Sequence, residues 1–258
     1  MSSESSESRF IVLSLPRCGS TTLTRLLNSH KNIRCLIEPF HPRRYGGKFN
    51  AFAVDQFSLD SALEIVWTRW NGIKHVWESS GWPFLERPEL NDRVVLGADR
   101  NVVFIMRRNL LRRAISHHIS RQTRYWMGSK AGFLRHLDDV KFRELDPEVM
   151  LAQIHADQQA VARYLDLLPK GNSRFTTLYY EDFFREGMAS LERFQSVNSL
   201  LDFLRFEPIT FETFAGEWER HFDPTLNRWA SSEVYRRIPG IDDIEKEVGS
   251  DETGWLFR

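Results

Sequence analysis

The chain has 258 residues, enough to bury a substantial core in one α/β domain. Its thirty-five basic and thirty-five acidic side chains cancel, so no global field draws it to nucleic acid or to an anionic membrane surface. Two cysteines, Cys18 and Cys35, exclude a disulfide scaffold and read as free thiols in a reducing compartment, and no apolar stretch approaches the length of a membrane span.

Residues 1–8 are rich in Ser and Glu, with no basic start and no apolar stretch, and read as a disordered tail rather than a signal peptide. Residues 9–258 follow as a single domain. It opens with Phe10-Ile11-Val12-Leu13-Ser14, an apolar strand signal, which runs through Leu15-Pro16-Arg17-Cys18-Gly19 into a hydroxyl-rich helix start, Ser20-Thr21-Thr22. That order of parts gathers backbone N–H groups, a helix N-terminus and the fixed charge of Arg17 around one point, which suits phosphate or sulfate. The segment is similar to a Walker-type phosphate loop but lacks Gly-Lys-Ser/Thr at the required spacing, so a Mg-bound triphosphate is not expected in the usual way. A plain N-cap after a tight turn has the same residues.

The first helix ends near His30, and an apolar stretch, residues 33–37, precedes a loop punctuated by Pro and Gly from Glu38 to Gly47. Leu59, Leu63, Val66, Trp67 and Trp70 have helical spacing, and Ile73-Lys74-His75-Val76-Trp77 reads as a strand. A helix over residues 86–96 leads to the buried-strand signal Val102-Val103-Phe104-Ile105-Met106, which runs into Arg107-Arg108-Asn109 and a helix carrying Ser116. Asp146 and Pro147 start a long helix to about residue 168, residues 175–179 form another strand, and residues 190–204 an amphipathic helix. The alternation predicts a parallel sheet with helices on both faces and ligands at the carboxyl ends of the strands, where Arg17 and Arg108 both fall. Positive charge is concentrated over residues 107–124, where a ligand with several phosphates would need it; a solvated basic face has the same composition.

The two strand-loop-helix units, in this order, resemble the two signatures of the sulfotransferases that use 3′-phosphoadenosine 5′-phosphosulfate. Leu178-Tyr179-Tyr180-Glu181-Asp182-Phe183 is similar to a third segment of that family, whose acidic pair caps a helix and ties loops together. The resemblance spans roughly residues 9–205, and it implies a three-layer sandwich like that of the P-loop NTPases. It also implies transfer of a sulfuryl group from that donor, without metal, to a hydroxyl of a small-molecule, carbohydrate or lipid-linked acceptor, leaving 3′-phosphoadenosine 5′-phosphate. Arg17, Cys18, Gly19, Ser20, Thr21 and Thr22 take the place of the loop around the 5′-phosphosulfate, and Arg108 and Ser116 that of the 3′-phosphate site. Membrane-anchored relatives carry a span, so the resemblance implies a soluble, cytoplasmic member. The late Arg-Lys-Gly element of the cytosolic phenol and steroid branch is missing. The segment around Arg228 and Ser231 is closer to the bacterial and Golgi-type carbohydrate branch, in which such a loop closes over the cofactor.

Sulfuryl transfer needs an acceptor stripped of its proton, a stabilised leaving phosphate and in-line alignment. Arg17, permanently charged, acts electrostatically and not as a proton donor. Glu38, in Ile37-Glu38-Pro39-Phe40, sits where several branches of the family carry the base; a loop carboxylate paired with Arg43 or Arg44 is the structural alternative. His75 is the second candidate base, but Lys74 and His75 are adjacent where the cytosolic branch separates them. On a strand that one-residue shift turns the ring to the other face. His117 and His118 do not converge on one point of a helix, so one is expected packed and the other solvated. Trp67, Trp70, Trp77 and Trp82 fall in the region expected to form the acceptor pocket, where each is either a stacking surface or core. A phosphate-loop kinase using ATP is the competing enzyme class, although no apolar strand ends in an Asp for Mg. Nucleic-acid binding would rest on Arg112, Arg113, Arg121 and Arg124 alone and is not expected.

Overall fold

Phe10, Ile11, Val12 and Leu13 are all fully buried, as in a strand covered on both faces. The computed structural model of the chain describes residues 8–126, 130–223 and 232–257. Strand β1, Arg9–Ser14, lies at the centre of a five-stranded, all-parallel sheet with β2 Cys35–Ile37, β3 Gly72–Val76, β4 Arg100–Met106 and β5 Arg174–Tyr179, in the order β2-β3-β1-β4-β5. The predicted α/β class and parallel sheet are therefore found.

Strand parity divides the core. Ile11, Leu13, Val102 and Phe104 face one apolar cluster, and Phe10, Val12, Val103 and Ile105 face another. Helices α1 Ser20–Leu27 and α9 Ser190–Phe203 cover the second cluster through Leu23, Leu26, Val197 and Leu201. On the first lie α3 Gln56–Trp67, α4 Glu89–Val95 and α7 Pro147–Lys170, through Leu63, Val66, Val94 and Tyr164. The chain moves outward from β1 to β2 and back from β2 to β3, so right-handed crossovers put α1 and α3 on opposite faces. A third cluster joins α5 Leu110–Thr123, α6 Lys130–Asp138, the start of α7 and the C-terminal helix Ile241–Val248 through Ile115, Phe133, Ile154 and Ile244. Two short helices, α2 Lys48–Phe52 and α8 Tyr180–Phe183, follow β2 and β5. None of the described helices is long and apolar enough to cross a membrane.

Side chains cap two helix starts, of which only that at Asp146 was expected from the sequence. Asp55 accepts from Ser58 N while Ser58 Oγ accepts from Asp55 N, a reciprocal box that starts α3 three residues before the apolar spacing begins. Asp146 caps α7 at Glu148 N, with Pro147 in the first turn.

Parallel strands bring their carboxyl ends to one edge, and β1, flanked by β3 and β4, ends at the topological switch point. Two close approaches shape the loop there. Gly19 has φ +86°, and a Cβ at that position would run into the Tyr180 ring. From α5, the fully buried Arg113 pairs with Asp157 of α7 and donates Nη1 to the Pro16 carbonyl at 3.3 Å. Removing one partner of a buried pair strands the other charge. Arg113→Ala is therefore expected to lower the unfolding free energy by about 3–5 kcal/mol. Urea denaturation should also show that Arg113→Met combined with Asp157→Leu recovers most of the loss.

Candidate functional site

A cavity of about 1060 Å³ opens at the carboxyl ends of β1, β3 and β4. Its floor is the loop after β1. Arg17 adopts φ +68°, a left-handed conformation that a non-glycine residue holds at a cost of about 1–3 kcal/mol and that often marks functional loops. Gly19, as N-cap of α1, offers no side chain to the first-turn N–H groups, and Ser20, Thr21 and Thr22 all line the cavity. Ser20 Oγ lies 2.8 Å from Ser14 Oγ, which fixes the helix start to the end of β1.

Arg17 Nε donates to Ser116 Oγ at 3.0 Å across 99 residues of chain, so the two sequence motifs meet at one point. Among the described residues no carboxylate lies within ion-pair range of Arg17. Burial, and then the neighbouring Arg107, push its guanidinium down to about 10, which leaves it charged at neutral pH. Arg107 donates Nη1 to the Arg17 carbonyl at 3.3 Å, lies over the Tyr180 ring at 5.1 Å and lines the cavity. Two cations therefore face an open space, Arg17 desolvated and Arg107 with Glu181 Oε1 3.6 Å from its Nε, an arrangement that favours an anion.

The second wall is built by β2 and β3. Ile37 is in register with Lys74, and the Glu38 N–H continues that ladder to the Lys74 carbonyl at 2.9 Å. Glu38 itself has φ +51°. Its carboxylate accepts from Lys74 Nζ at 2.6 Å and from Arg44 Nε at 3.1 Å, and Lys74 Nζ also donates to Thr21 Oγ1 at 2.7 Å. Burial alone would raise the Glu38 carboxyl, but Lys74 and Arg44 overcome it and hold the group below the ordinary carboxylate range. Of the two arginines weighed as partners for Glu38, Arg44 makes the contact, and Lys74 is buried.

Not every predicted site residue faces this space. Arg108 is exposed; its guanidinium pairs with both oxygens of Asp182 and lies 4.0 Å from the Tyr179 ring centroid, and it does not line the cavity. Arg107 lines it instead. Strand parity gives the reason, because Arg107 continues the row of Val103 and Ile105 on the face where α1 packs. The acidic pair ties loops as expected: Glu181 accepts the N–H groups of Arg108 and Asn109 at 3.0 and 3.1 Å, and Asp182 holds Arg108. Cys18 turns into the core, and burial pushes its thiol up to about 11, so it offers the cavity no side chain. Cys35 is also buried, and both are free. Arg228 and Ser231 lie outside the described residues.

His75 points to the face opposite Lys74. It is buried, its Nε2 is 2.9 Å from Asn91 Oδ1, and it does not line the cavity, so it has no access to an acceptor there. The one-residue shift has the predicted consequence. Trp67 and Trp77 are core, Trp70 packs against it, and of the four tryptophans singled out only Trp82 lines the cavity. Trp126 and Glu78, which sequence reasoning passed over, line it as well. Arg112 and Arg113 are turned inward, onto the Leu256 carbonyl and onto Asp157, so neither belongs to an outward basic stripe.

Burial pushes the His75 imidazole down to about 4, against an unfolded value near 6.5. The unfolded chain then binds the extra proton between these values, so the stability present above pH ~6.5 is lost as pH falls toward 4. His75→Gln is expected to be less stable at neutral pH but to show a shallower decline of the urea midpoint across that window.

No protein-family model matches the chain, and comparison with curated proteins gives no match; the site is described by its own geometry.

Proposed function

We propose that the chain is a sulfotransferase that binds 3′-phosphoadenosine 5′-phosphosulfate at the β1 loop and transfers its sulfuryl group to an acceptor hydroxyl. The observation that carries this reading is the contact between Arg17 and Ser116, because it joins the two motifs of the resemblance around a desolvated cation with no carboxylate partner among the described residues. The donor would supply the transferring group and leave as the 3′,5′-bisphosphate. Arg17 and the first-turn N–H groups of α1 face the negative charge that builds on the leaving 5′-phosphate. Arg107, with Ser116, is placed for a second phosphate. Glu38 holds the acceptor O–H and takes its proton as the new S–O bond forms, and Lys74 keeps that carboxylate ionised and aimed. The loop has Ser20 where a Mg-triphosphate site carries the lysine after its last glycine, which disfavours the kinase alternative.

Calorimetric titration with 3′-phosphoadenosine 5′-phosphate, beside ATP with Mg, tests the reading. Binding of the bisphosphate in the micromolar range with ATP much weaker is expected; the reverse order would return the kinase to the front. Arg107→Ala should weaken the bisphosphate by about tenfold or more, the loss of one charge-assisted contact, and more than Arg108→Ala does. Glu38→Gln should bind it as the parent does and have no turnover.

The base also has a pH signature. Turnover is expected to fall on the acid side with an apparent pKa below the ordinary carboxylate value, since two cations favour the ionised Glu38. Arg44→Ala removes one of them and should shift that acid limb upward, measured as kcat/KM against pH.

A further inference from the structure

The short helix Ser232–Tyr235 brings the third apolar cluster to the edge of the cavity. Val234 and Tyr235 belong to that cluster with Ile115 of α5 and Ile244 of the C-terminal helix. Tyr235 is 3% exposed and nevertheless lines the cavity beside Arg17 and Arg107. Burial holds its phenol above the ordinary value, against the pull of Arg107, Arg112 and Arg17 in that order, so the group is a neutral O–H at pH 7. The Tyr235 carbonyl accepts from Ile238 N at 3.0 Å, but the hydroxyl has no hydrogen-bond partner among the described residues. Buried polar groups are ordinarily satisfied. The guanidiniums in range are donors only, so none can take the phenol proton. Ser116 Oγ already accepts from Arg17, and Glu181, the carboxylate beside Arg107, already holds the N–H groups of Arg108 and Asn109. The acceptor must therefore enter the cavity from outside, and three cations around it select an anionic oxygen.

We infer that Tyr235 is an anion-binding residue, whose O–H donates to an oxygen of the phosphate that Arg107 holds and closes that site from the C-terminal side. Naming this anion as the second phosphate of the bisphosphate rests on the sulfuryl-transfer reading; the need of the hydroxyl for an anionic acceptor does not. Arg107 acts on Tyr235 more strongly than Arg17 does, which puts the hydroxyl toward the second phosphate rather than toward the start of α1. Packing gives no reason for the oxygen. A phenylalanine would fill the same cluster and leave no polar atom unpaired.

The full chain is titrated calorimetrically with 3′-phosphoadenosine 5′-phosphate, adenosine 5′-phosphate and inorganic pyrophosphate. Tyr235→Phe should weaken the bisphosphate and pyrophosphate about tenfold, the loss of one charge-assisted hydrogen bond. Adenosine 5′-phosphate, which lacks the second phosphate, should bind as it does to the parent. Combined with Arg107→Ala, the loss should be smaller than the product of the two single losses, because both residues act on one anion. The hydroxyl is unpaired without a ligand, so Tyr235→Phe should leave the urea midpoint of the free protein unchanged, which a structural role would not. Arg236→Ala is the control: that guanidinium lies over the Phe257 ring at 4.9 Å, does not line the cavity, and should alter no titration. The inference is overturned when Tyr235→Phe binds the bisphosphate as the parent does, or weakens adenosine 5′-phosphate equally. It is also overturned when the two losses multiply, or when the free variant is less stable. A parent that binds pyrophosphate but not the bisphosphate, with pyrophosphate weakened in the variant, would instead sink the sulfuryl-transfer reading and leave Tyr235 in its role. Binding of no probe overturns both.

Discussion

A cation held out of water at the end of the central strand governs the head of this sheet. Arg17 is bent into a left-handed turn, meets a hydroxyl and no carboxylate among the described residues, and has Arg107 beside it. Such a charge is stabilised by an anion brought from outside or by protein groups that hold it in place. The surroundings do the second: Arg113 clamps the Pro16 carbonyl, Arg107 the Arg17 carbonyl, and Tyr180 fills the space that a side chain at position 19 would need. The turn is rigid because it is gripped from α5, β4 and α8 together, and its free capacity points into the cavity.

Glu38 and Lys74 form a second buried charge pair, different in kind. Here the charges satisfy each other, and Thr21 Oγ1 accepts a further hydrogen bond from Lys74, so the pair connects the wall built by β2 and β3 to the start of α1. The pair keeps the carboxylate ionised, which a base requires, and also makes it a weaker base than one poised near neutrality. In the proposed sulfuryl transfer, an acceptor hydroxyl would replace part of the cation contact as it docks.

Much of this was legible in the sequence, and the reason is local. The strand-turn-helix order fixes the β1 loop, because strand ends, a positive-φ glycine and hydroxyls at a helix start are all neighbours in the chain. Strand parity put Lys74 and His75 on opposite faces of β3 without any long-range information, and both faces are buried. The same parity, applied to β4, would have chosen Arg107 over Arg108, since Val103, Ile105 and Arg107 alternate on one face. What the sequence does not carry is convergence: Glu78 and His117 are thirty-nine positions apart, and nothing in either neighbourhood announces the other. Helix α6 was likewise passed over, since only its burial of Phe133 and Leu137 against α5, α7 and the C-terminal helix makes it part of the core.

Adjacent residues of α5 meet two residues of the cavity wall from behind or within it, Ser116 meeting Arg17 and the buried His117 standing beside Glu78. A shift of this helix would disturb both at once, so its anchoring matters to the whole site. Glu181 binds the N–H groups before its first turn, Asn109 caps it at Arg112 N, and the end of the chain straps its start. Leu111 N donates to the Thr253 carbonyl, Asn109 Nδ2 to that of Trp255, and Arg112 to that of Leu256. A side chain at Gly254 would collide with Asn109, so the strap fits only in this path. Three charge-bearing residues of the Arg-rich segment are thereby spent on structure: Arg108 on Asp182, Arg112 on the strap, Arg113 on Asp157. Arg107, with Glu181 3.6 Å from its Nε, lines the cavity, and so does Arg112, so a chain of zero net charge presents a locally cationic site.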